Sequence, residues 1–420
     1  MKQAWLVTIL VCGAGMWHAG DQLAGSATAG DWPQILGPDR NGIAQQERIA
    51  PVWPEAGPRL MWQLPVGSGV AGVAIRQGQV VLFHRVENQE IAQALDLETG
   101  QQQWSRAFPA TFQPRIMPDN GPLCVPVLLP DHVILHGPTG RLSCLERATG
   151  NVRWSVETHA DFGADEGYFG AGSTPLVVGN RVILNVGGHR QQAGVVAFDL
   201  ESGRVLWQTG DWQASYSSPV LARVGDSDLV ILESRLETVG LDPASGQVRF
   251  SLPFGMRGPT VNGANPVVLD GHLFLTASYG IGSVWARIRA DQIEVLRADL
   301  KPLASQYTTP IPLEKHLVGI DGRQDGGPVD LVCFEPATGT ETWRMKEFGY
   351  ASLIKAGNHL LIMKTDGELV VSRADSKNFV ELWRGKLTEH TCRALPALSN
   401  SRFLLRDEQS LKCFDLSGRP

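Results

Sequence analysis

From about residue 71 to the C-terminus the chain alternates short apolar runs with turns rich in Gly, Asp, Ser and Asn. The unit YSSPVLARVGDSDLVILESRLETVGLDPASGQVRF (216–250) shows the grain of the pattern. An apolar run opens at Pro219 and breaks at Gly225-Asp226; a second covers Leu229 to Leu232. A short loop leads to a third run ending at Leu241, an Asp-x-x-Ser-Gly turn follows, and a last run closes on Phe250. Short runs bounded by turn residues read as β-strands. The unit therefore predicts four antiparallel strands, here named A to D from the inside outward.

The unit recurs. ALDLETGQQQW ends at Trp104, CLERATGNVRW at Trp154, AFDLESGRVLW at Trp207 and CFEPATGTETW at Trp343; GLDPASGQVRF puts Phe250 in the Trp place, and CFDLSG stands at the C-terminus. Trp62, Trp104, Trp154, Trp207, Phe250, Trp343 and Trp383 follow one another at roughly 40 to 53 residues, the spacing of β-propeller blades. The one double gap, Phe250 to Trp343, holds a degenerate copy with Leu296 near the Trp position. Each motif residue has a physical task. The acid accepts hydrogen bonds from the C–D turn, the Gly adopts a positive φ, and the Trp is an apolar plate for the next blade. Pro126, Pro175, Pro219, Pro266, Pro310 and Pro396 recur at the start of strand A. Proline cannot donate to a β ladder, so strand A is an edge, as the channel-lining strand of a propeller is.

Seven complete units start near Ala71, Leu123, Ser173, Ser217, Gly263, Thr308 and Ala351; an eighth starts near Cys392 and ends after its third strand. RLMWQL, around Trp62, supplies the missing outer strand from the other end of the chain. The expected fold is all-β: an eight-bladed β-propeller of four-stranded antiparallel blades, closed by pairing of N- and C-terminal strands. Closure removes open strand edges. The organisation expected is a signal peptide over 1–29, an extended N-terminal segment over 30–56 and the propeller over 57–420.

The AlDxxTGxxxW unit resembles the pyrroloquinoline-quinone (PQQ) repeat family, over about Gly57 to Pro420. The resemblance implies one of two things: a non-catalytic propeller similar to outer-membrane protein assembly factor B, or an eight-bladed quinoprotein dehydrogenase. The motif residues are structural, so the repeat is specific for fold and weak for function. The resemblance also implies that a dehydrogenase of this family carries two adjacent bonded cysteines and a Glu–Asn–Asp constellation for calcium and base. This chain has no Cys-Cys pair, and that constellation is not assignable residue by residue.

Charge and the N-terminus narrow the setting. The net charge of -6 and the lack of a basic stripe speak against nucleic acid. Lys2, the apolar run Ala4 to Trp17 and the small-residue tract ending in Ala27 to Ala29 read as a cleaved export signal, too short to span a bilayer. No second long apolar segment follows. A periplasmic or extracellular protein without a transmembrane segment is expected. Lipoprotein anchoring through Cys12 is not, because bulky Leu10 and Val11 precede it. Cys144, Cys333 and Cys413 share a repeat position with Ala94, Ala197 and Gly240, which marks a site for a small buried residue. Cys124 and Cys392 share another position, and no disulfide is expected.

Function is expected where the D–A and B–C loops gather around one mouth of the channel. All five tyrosines, Tyr168, Tyr216, Tyr279, Tyr307 and Tyr350, map there. Each either packs under a loop or offers its polar tip to a ligand. His189, Arg190, Asn262, Asn265, Arg323 and Asp325 join them as the candidate ligand or partner surface, with Ser217, Ser218, Thr308 and Thr309 beside the strand-A prolines. Asp161, Asp165 and Glu166 could offer oxygens to calcium, but their spacing is that of no standard ligand loop, and a solvated acidic loop is the plainer reading. No nucleophile elbow, phosphate-cradling loop or His-Glu-x-x-His occurs. The expectation is an exported, non-catalytic scaffold that binds a protein or cell-envelope ligand, with no catalytic residue, cofactor or metal. The alternative is a divergent alcohol or sugar dehydrogenase dependent on PQQ and calcium. A sugar- or polymer-binding propeller is a third reading, since Tyr and Asn can stack on and hydrogen-bond sugars.

Overall fold

The computed structural model describes residues 30–420 except 51, 55, 115, 117, 118, 419 and 420. The segment expected to be an export signal, and Cys12 within it, lie outside the described residues. The strands group into eight sheets in a ring. Blades 1 to 7 cover 74–109, 127–157, 176–209, 220–253, 267–299, 311–345 and 351–386. Blade 8 takes strands A to C from 397–415 and its outer strand from Arg59–Pro65. That strand runs antiparallel to Ser410–Asp415, with Arg59 opposite Asp415 and Pro65 opposite Ser410. The ring is thus closed by the two ends of the propeller.

The repeat motif explains why neighbouring blades adhere. Asp96 Oδ1 accepts from the Glu98 and Thr99 amides at 3.1 and 2.9 Å, and Asp242 Oδ1 from Ala244 and Ser245 at 2.9 and 3.0 Å. The motif glycine has two reasons to be glycine. At Gly203 φ is +70°, and a Cβ there would lie 2.7 Å from the Trp154 ring of the preceding blade. Five of the outer-strand tryptophans reach over the next blade's C–D turn and donate the indole N–H to a carbonyl there, while Trp383 packs edge-on against Trp53. Trp62 reaches Leu97, Trp104 reaches Arg147 and Trp154 reaches Leu200, all at 2.8 Å; Trp207 and Trp343 reach Pro243 and Asp375 at 3.1 Å. Cys144, Cys333 and Cys413 sit directly opposite Trp154, Trp343 and Trp62, buried and unbridged. A small side chain there leaves room for the indole.

Blade 5 departs from the rule and corrects the sequence-based register. The residue at the outer-strand Trp position is Arg297, one place beyond Leu296, and the aromatic has moved to Trp285 on strand C, opposite it. Trp285 stacks on His272 with ring centroids 4.8 Å apart. Arg297 covers Gly339 of blade 6, as a Trp does elsewhere.

Two further devices lock the ring. The residues before the strand-A prolines form an inter-blade relay. Val125 N donates to Thr174 Oγ1 (3.1 Å), Thr174 N to Ser218 Oγ (2.9 Å), Ser218 N to Asn265 Oδ1 (2.8 Å) and Asn265 N to Thr309 Oγ1 (2.8 Å). The second device is the segment before the propeller. It runs along the channel-lining strands at the A–B turn end: Trp32 bridges Ile75, Pro33 O accepts from Leu128 N, Ile43–Ala44 pair with Lys355 and Ala356, and Glu47 accepts from the amides of Asn400 and Ser401. Arg40 enters the channel from there. Its guanidinium, 3 % exposed, donates to the carbonyls of Thr174 (3.3 Å), Pro219 (2.8 Å) and Pro175. The channel is therefore plugged at the end opposite the D–A and B–C loops.

Candidate functional site

The loop face carries two polar–aromatic clusters built from residues that the sequence singles out. The first stands on blades 5 and 6. The Arg323 guanidinium lies 4.3 Å from the centre of the Tyr279 ring and forms a fork with Asp325, at 2.8 and 2.6 Å. Gln306 Nε2 donates to the Tyr279 hydroxyl (2.8 Å) and to Asp325 (3.3 Å), while Tyr307 donates to Gln324 Oε1 at 2.7 Å. The Arg323 partnership holds the Asp325 carboxyl below the usual carboxylate range and raises the guanidinium in turn. Apart from buried Gln306 the groups are half-exposed to exposed, so both charges stay on at neutral pH and face solvent in one fixed arrangement.

The second cluster stands on blades 3 and 4. The Tyr216 hydroxyl accepts from the backbone N–H of Tyr168 and of Phe169, at 3.0 and 3.1 Å. Arg235 lies over the Tyr168 ring at 5.6 Å. His189 and Arg190 occupy a short 3-10 turn between strands B and C of blade 3, and exposed Arg190 approaches Asp165 at 3.8 Å.

Three candidates face inward. Tyr350 is 4 % exposed, and its hydroxyl accepts from Tyr307 N and Thr308 N at 2.8 and 3.1 Å. Asn262 is buried and donates to the carbonyls of Ser234 and Arg235. Asn265 is buried in the relay described above. These three hold the loops that display Tyr307, Tyr216 and Arg235. Their polar atoms serve backbone groups that would otherwise be orphaned.

Sequence reasoning passes over a set of buried polar residues at one register of strand B. His136, Asn185, Glu233 and Thr276 occupy it in blades 2 to 5, and Arg406 in blade 8; Phe83, Ile320 and Met363 occupy it in blades 1, 6 and 7. Most of the polar ones clamp the next blade. His136 Nδ1 lies 3.2 Å from Ser173 O, Asn185 Nδ2 donates to Glu233 O at 3.1 Å, and Arg406 donates to the Ala71 and Phe83 carbonyls at 2.7 and 3.2 Å. Glu233 is the exception: neither carboxyl oxygen has a hydrogen-bond partner, and full burial raises its pKa well above the carboxylate range. The signal for this set is a polar residue closing an otherwise apolar run, as in VILH, VILN and VILE.

Two clefts open at this end of the channel. One, of about 110 Å³, lies between blades 2, 3 and 4; neutral His136, Ser173 and Asn185 line it, with Arg235, Asp165 and Glu166 also on its wall. The other, of about 260 Å³, lies between blades 8 and 1 beside Arg393, Arg406, Asp119 and Glu408. PQQ is a planar tricarboxylate and wants converging cations in a slot of the roughly 300–1,000 Å³ that cofactor sites offer. The first cleft has one cation. In the second, Arg406 is already committed to the carbonyls of Gly67, Ser68, Ala71 and Phe83, and acids share the wall. Neither set of residues fits the quinone. Among the described residues no three His, Cys, Asp or Glu side chains stand at metal-holding separation.

A ring of four-stranded blades stitched by Trp-on-Gly contacts defines a PQQ-repeat propeller. The chain belongs to the family described as outer membrane protein assembly factor BamB, whose model matches residues 52–167 and 87–328. Among solved structures it is similar to BamB from Moraxella catarrhalis, with a TM-score of 0.61 and 16% identity, covering 86% of this chain and 98% of that one. It is also similar to quinohemoprotein alcohol dehydrogenase from Comamonas testosteroni, with a TM-score of 0.52 and 13% identity over 94% of this chain and 82% of that one. A computationally designed protein, Ika8, matches with a TM-score of 0.56 and 13% identity over 86% of this chain and all of that one (100%). At these identities the likenesses establish the fold. No curated protein is a significant match to the chain. Among the described residues no helix is long and apolar enough to cross a membrane.

Proposed function

We propose that the protein is an exported, non-catalytic propeller that docks a protein partner of the cell envelope on its loop face. The observation that carries this reading is the Tyr279–Arg323–Asp325–Gln306 cluster. It is an aromatic–arginine patch held from beneath by buried Gln306, with Tyr279, Arg323 and Asp325 left open to solvent. Tyr and Arg are the residue types that dominate protein interfaces, and a patch organised in advance loses little entropy on binding. The second cluster, around Tyr168, Arg235 and Arg190, extends the surface across blades 3 and 4. Membership of a family described as an assembly factor supports a protein partner, and the expected export signal at the N-terminus is consistent with the compartment.

The test uses a photo-crosslinking residue placed at Tyr279 or Arg190, and at Asp226 on the opposite face, in the producing cells. A discrete adduct formed from the loop face alone, and lost on Arg323→Ala, is the expected outcome. Adducts formed equally from both faces would overturn loop-face docking. For the dehydrogenase alternative, purified protein with added PQQ and Ca²⁺ is followed by dye reduction over a panel of alcohols and aldose sugars. Robust turnover there would overturn the non-catalytic reading.

A further inference from the structure

We propose that the cleft between blades 2, 3 and 4 is a binding site for the hydroxyl groups of a neutral saccharide. This site borders the second cluster, since Arg235 lines it, but is separate from the patch on blades 5 and 6 that carries the docking reading, so Ser173→Ala and Arg323→Ala test the two apart.

The cleft is built of buried polar groups. His136, Ser173 and Asn185 are 2, 1 and 2 % exposed, and all three line it. Each turns an atom without a protein partner: His136 Nε2, Ser173 Oγ and Asn185 Oδ1, joined by His159 Nδ1. The chemistry of these atoms is set by their other ends. His136 Nδ1 sits 3.2 Å from Ser173 O, an acceptor, so it carries the ring proton and leaves Nε2 as a lone pair. Asn185 donates its amide N–H to Glu233 O, which leaves its oxygen free. The site therefore has acceptors in excess and calls for a ligand rich in O–H donors. Buried acceptors are met by partners as a rule, so a cluster of unmet ones marks a place where something binds.

Size and charge narrow the ligand. At about 110 Å³ the cleft holds several times the roughly 10–15 Å³ that one water requires, enough for the hydroxyl-bearing edge of a small ring. Burial holds both imidazoles neutral, lowering His136 to about 3 and His159 to about 4. At the mouth Asp165 faces Arg190 at 3.8 Å, and exposed Glu166 is offset by Arg235 on the wall; the buried floor of His136, Ser173 and Asn185 carries no charge, which suits a neutral ligand. The described residues form no three-donor metal group. The Tyr216 ring lines the wall and Phe169 lies 5.5 Å from it, giving the C–H face of a sugar an apolar surface.

The full chain is screened on a glycan array and titrated calorimetrically with methyl α-D-glucopyranoside, methyl β-D-galactopyranoside and N-acetylglucosamine. Saturable binding is expected, with the ¹⁵N ring resonances of His136 and His159 shifting on saturation. Ser173→Ala removes a hydroxyl with no protein partner, so it should melt like the parent and bind roughly 3–10-fold weaker. Asn185→Leu should weaken binding further; should it fail to fold, Ser173→Ala alone decides. The proposal is overturned if no saccharide binds or if binding is unchanged in the variants. It is also overturned if Zn²⁺ alone moves both histidine rings while every sugar is inert, or if a crystal soaked in these sugars shows only ordered water in the cleft.

Discussion

Single residues in this propeller are governed by what the neighbouring blade brings to them. Gly203 and Gly225 both have a positive φ, at +70° and +61°. Only Gly203 lies under a Trp; nothing stands within 4 Å of a Cβ at Gly225. Gly225→Ala should cost about 1–2 kcal/mol of backbone strain. Gly203→Ala should cost about 1–3 kcal/mol more, because the indole must shift. Urea denaturation of the two variants measures the difference, and equal losses would mean that the Trp–Gly contact contributes nothing. Glu233 shows the same dependence in its protonation. Its ordinary value is 4.5, and burial raises it well above that in the folded protein. The folded state therefore keeps a proton that the unfolded chain releases above about pH 4.5, and stability falls as pH rises from there. Glu233→Gln, which keeps the shape and does not titrate, should match the parent at and below pH 4 and unfold at higher urea at pH 8. An equal gain at both pH values would show that the carboxyl does not titrate as argued.

At the scale of elements the plug is the feature with the largest consequence. The 30–47 segment has little regular structure of its own, yet it touches blades 1, 2, 3, 4, 7 and 8 through backbone pairing, Arg40 and Glu47. Burial lowers the Arg40 guanidinium to about 9, still charged at neutral pH, with carbonyl oxygens from blades 3 and 4 around it. Arg40→Met fills similar volume and leaves those carbonyls unmet. It should cost about 2–4 kcal/mol, read from urea unfolding, and should hasten proteolysis within 30–47. A variant as stable as the parent would mean that Arg40 merely occupies the channel.

For the whole molecule, closure is the decisive contact. Among the described residues the strand Arg59–Pro65 is the one partner of the outer side of Ser410–Asp415, and the chain between it and the plug is residues 48–58. Chains beginning at Gly30, Gly57 and Pro65 separate the two contributions. The Gly57 start loses the plug and keeps the strand; the Pro65 start loses both, with Trp62 and its cover of Gly100. Trp62 is half-buried, so losing it costs less than the roughly 3–5 kcal/mol of a fully buried aromatic, but the strand's backbone pairing goes with it, against the roughly 5–15 kcal/mol that holds a domain together. The Gly57 chain should be monodisperse with a lowered melting temperature, and the Pro65 chain aggregated, since it bares a strand edge. Light scattering with thermal melts decides; identical behaviour of the two would refute the closure.

The amino-acid sequence by itself determined the blade number, the strand order, the closing pair and the roles of the acid, glycine and tryptophan in the repeat. Those features are local: they are written in alternation, turn chemistry and a period, and each blade states them again. It also brought Tyr279, Tyr307, Arg323 and Asp325 together on one face, because loop position follows from strand order. What only the tertiary structure decided are the pairings between blades, whose partners are some 45 residues apart and have no local signature. It decided that Asn262, Asn265 and Tyr350 hold backbone groups instead of facing solvent, and that Arg297 rather than Leu296 takes the place of a Trp. It placed 30–47 inside the channel mouth, and it turned the polar ends of VILH and VILN into a buried cleft. A hydrogen bond is satisfied by whichever group the fold brings within reach, and periodicity along one strand cannot name that group.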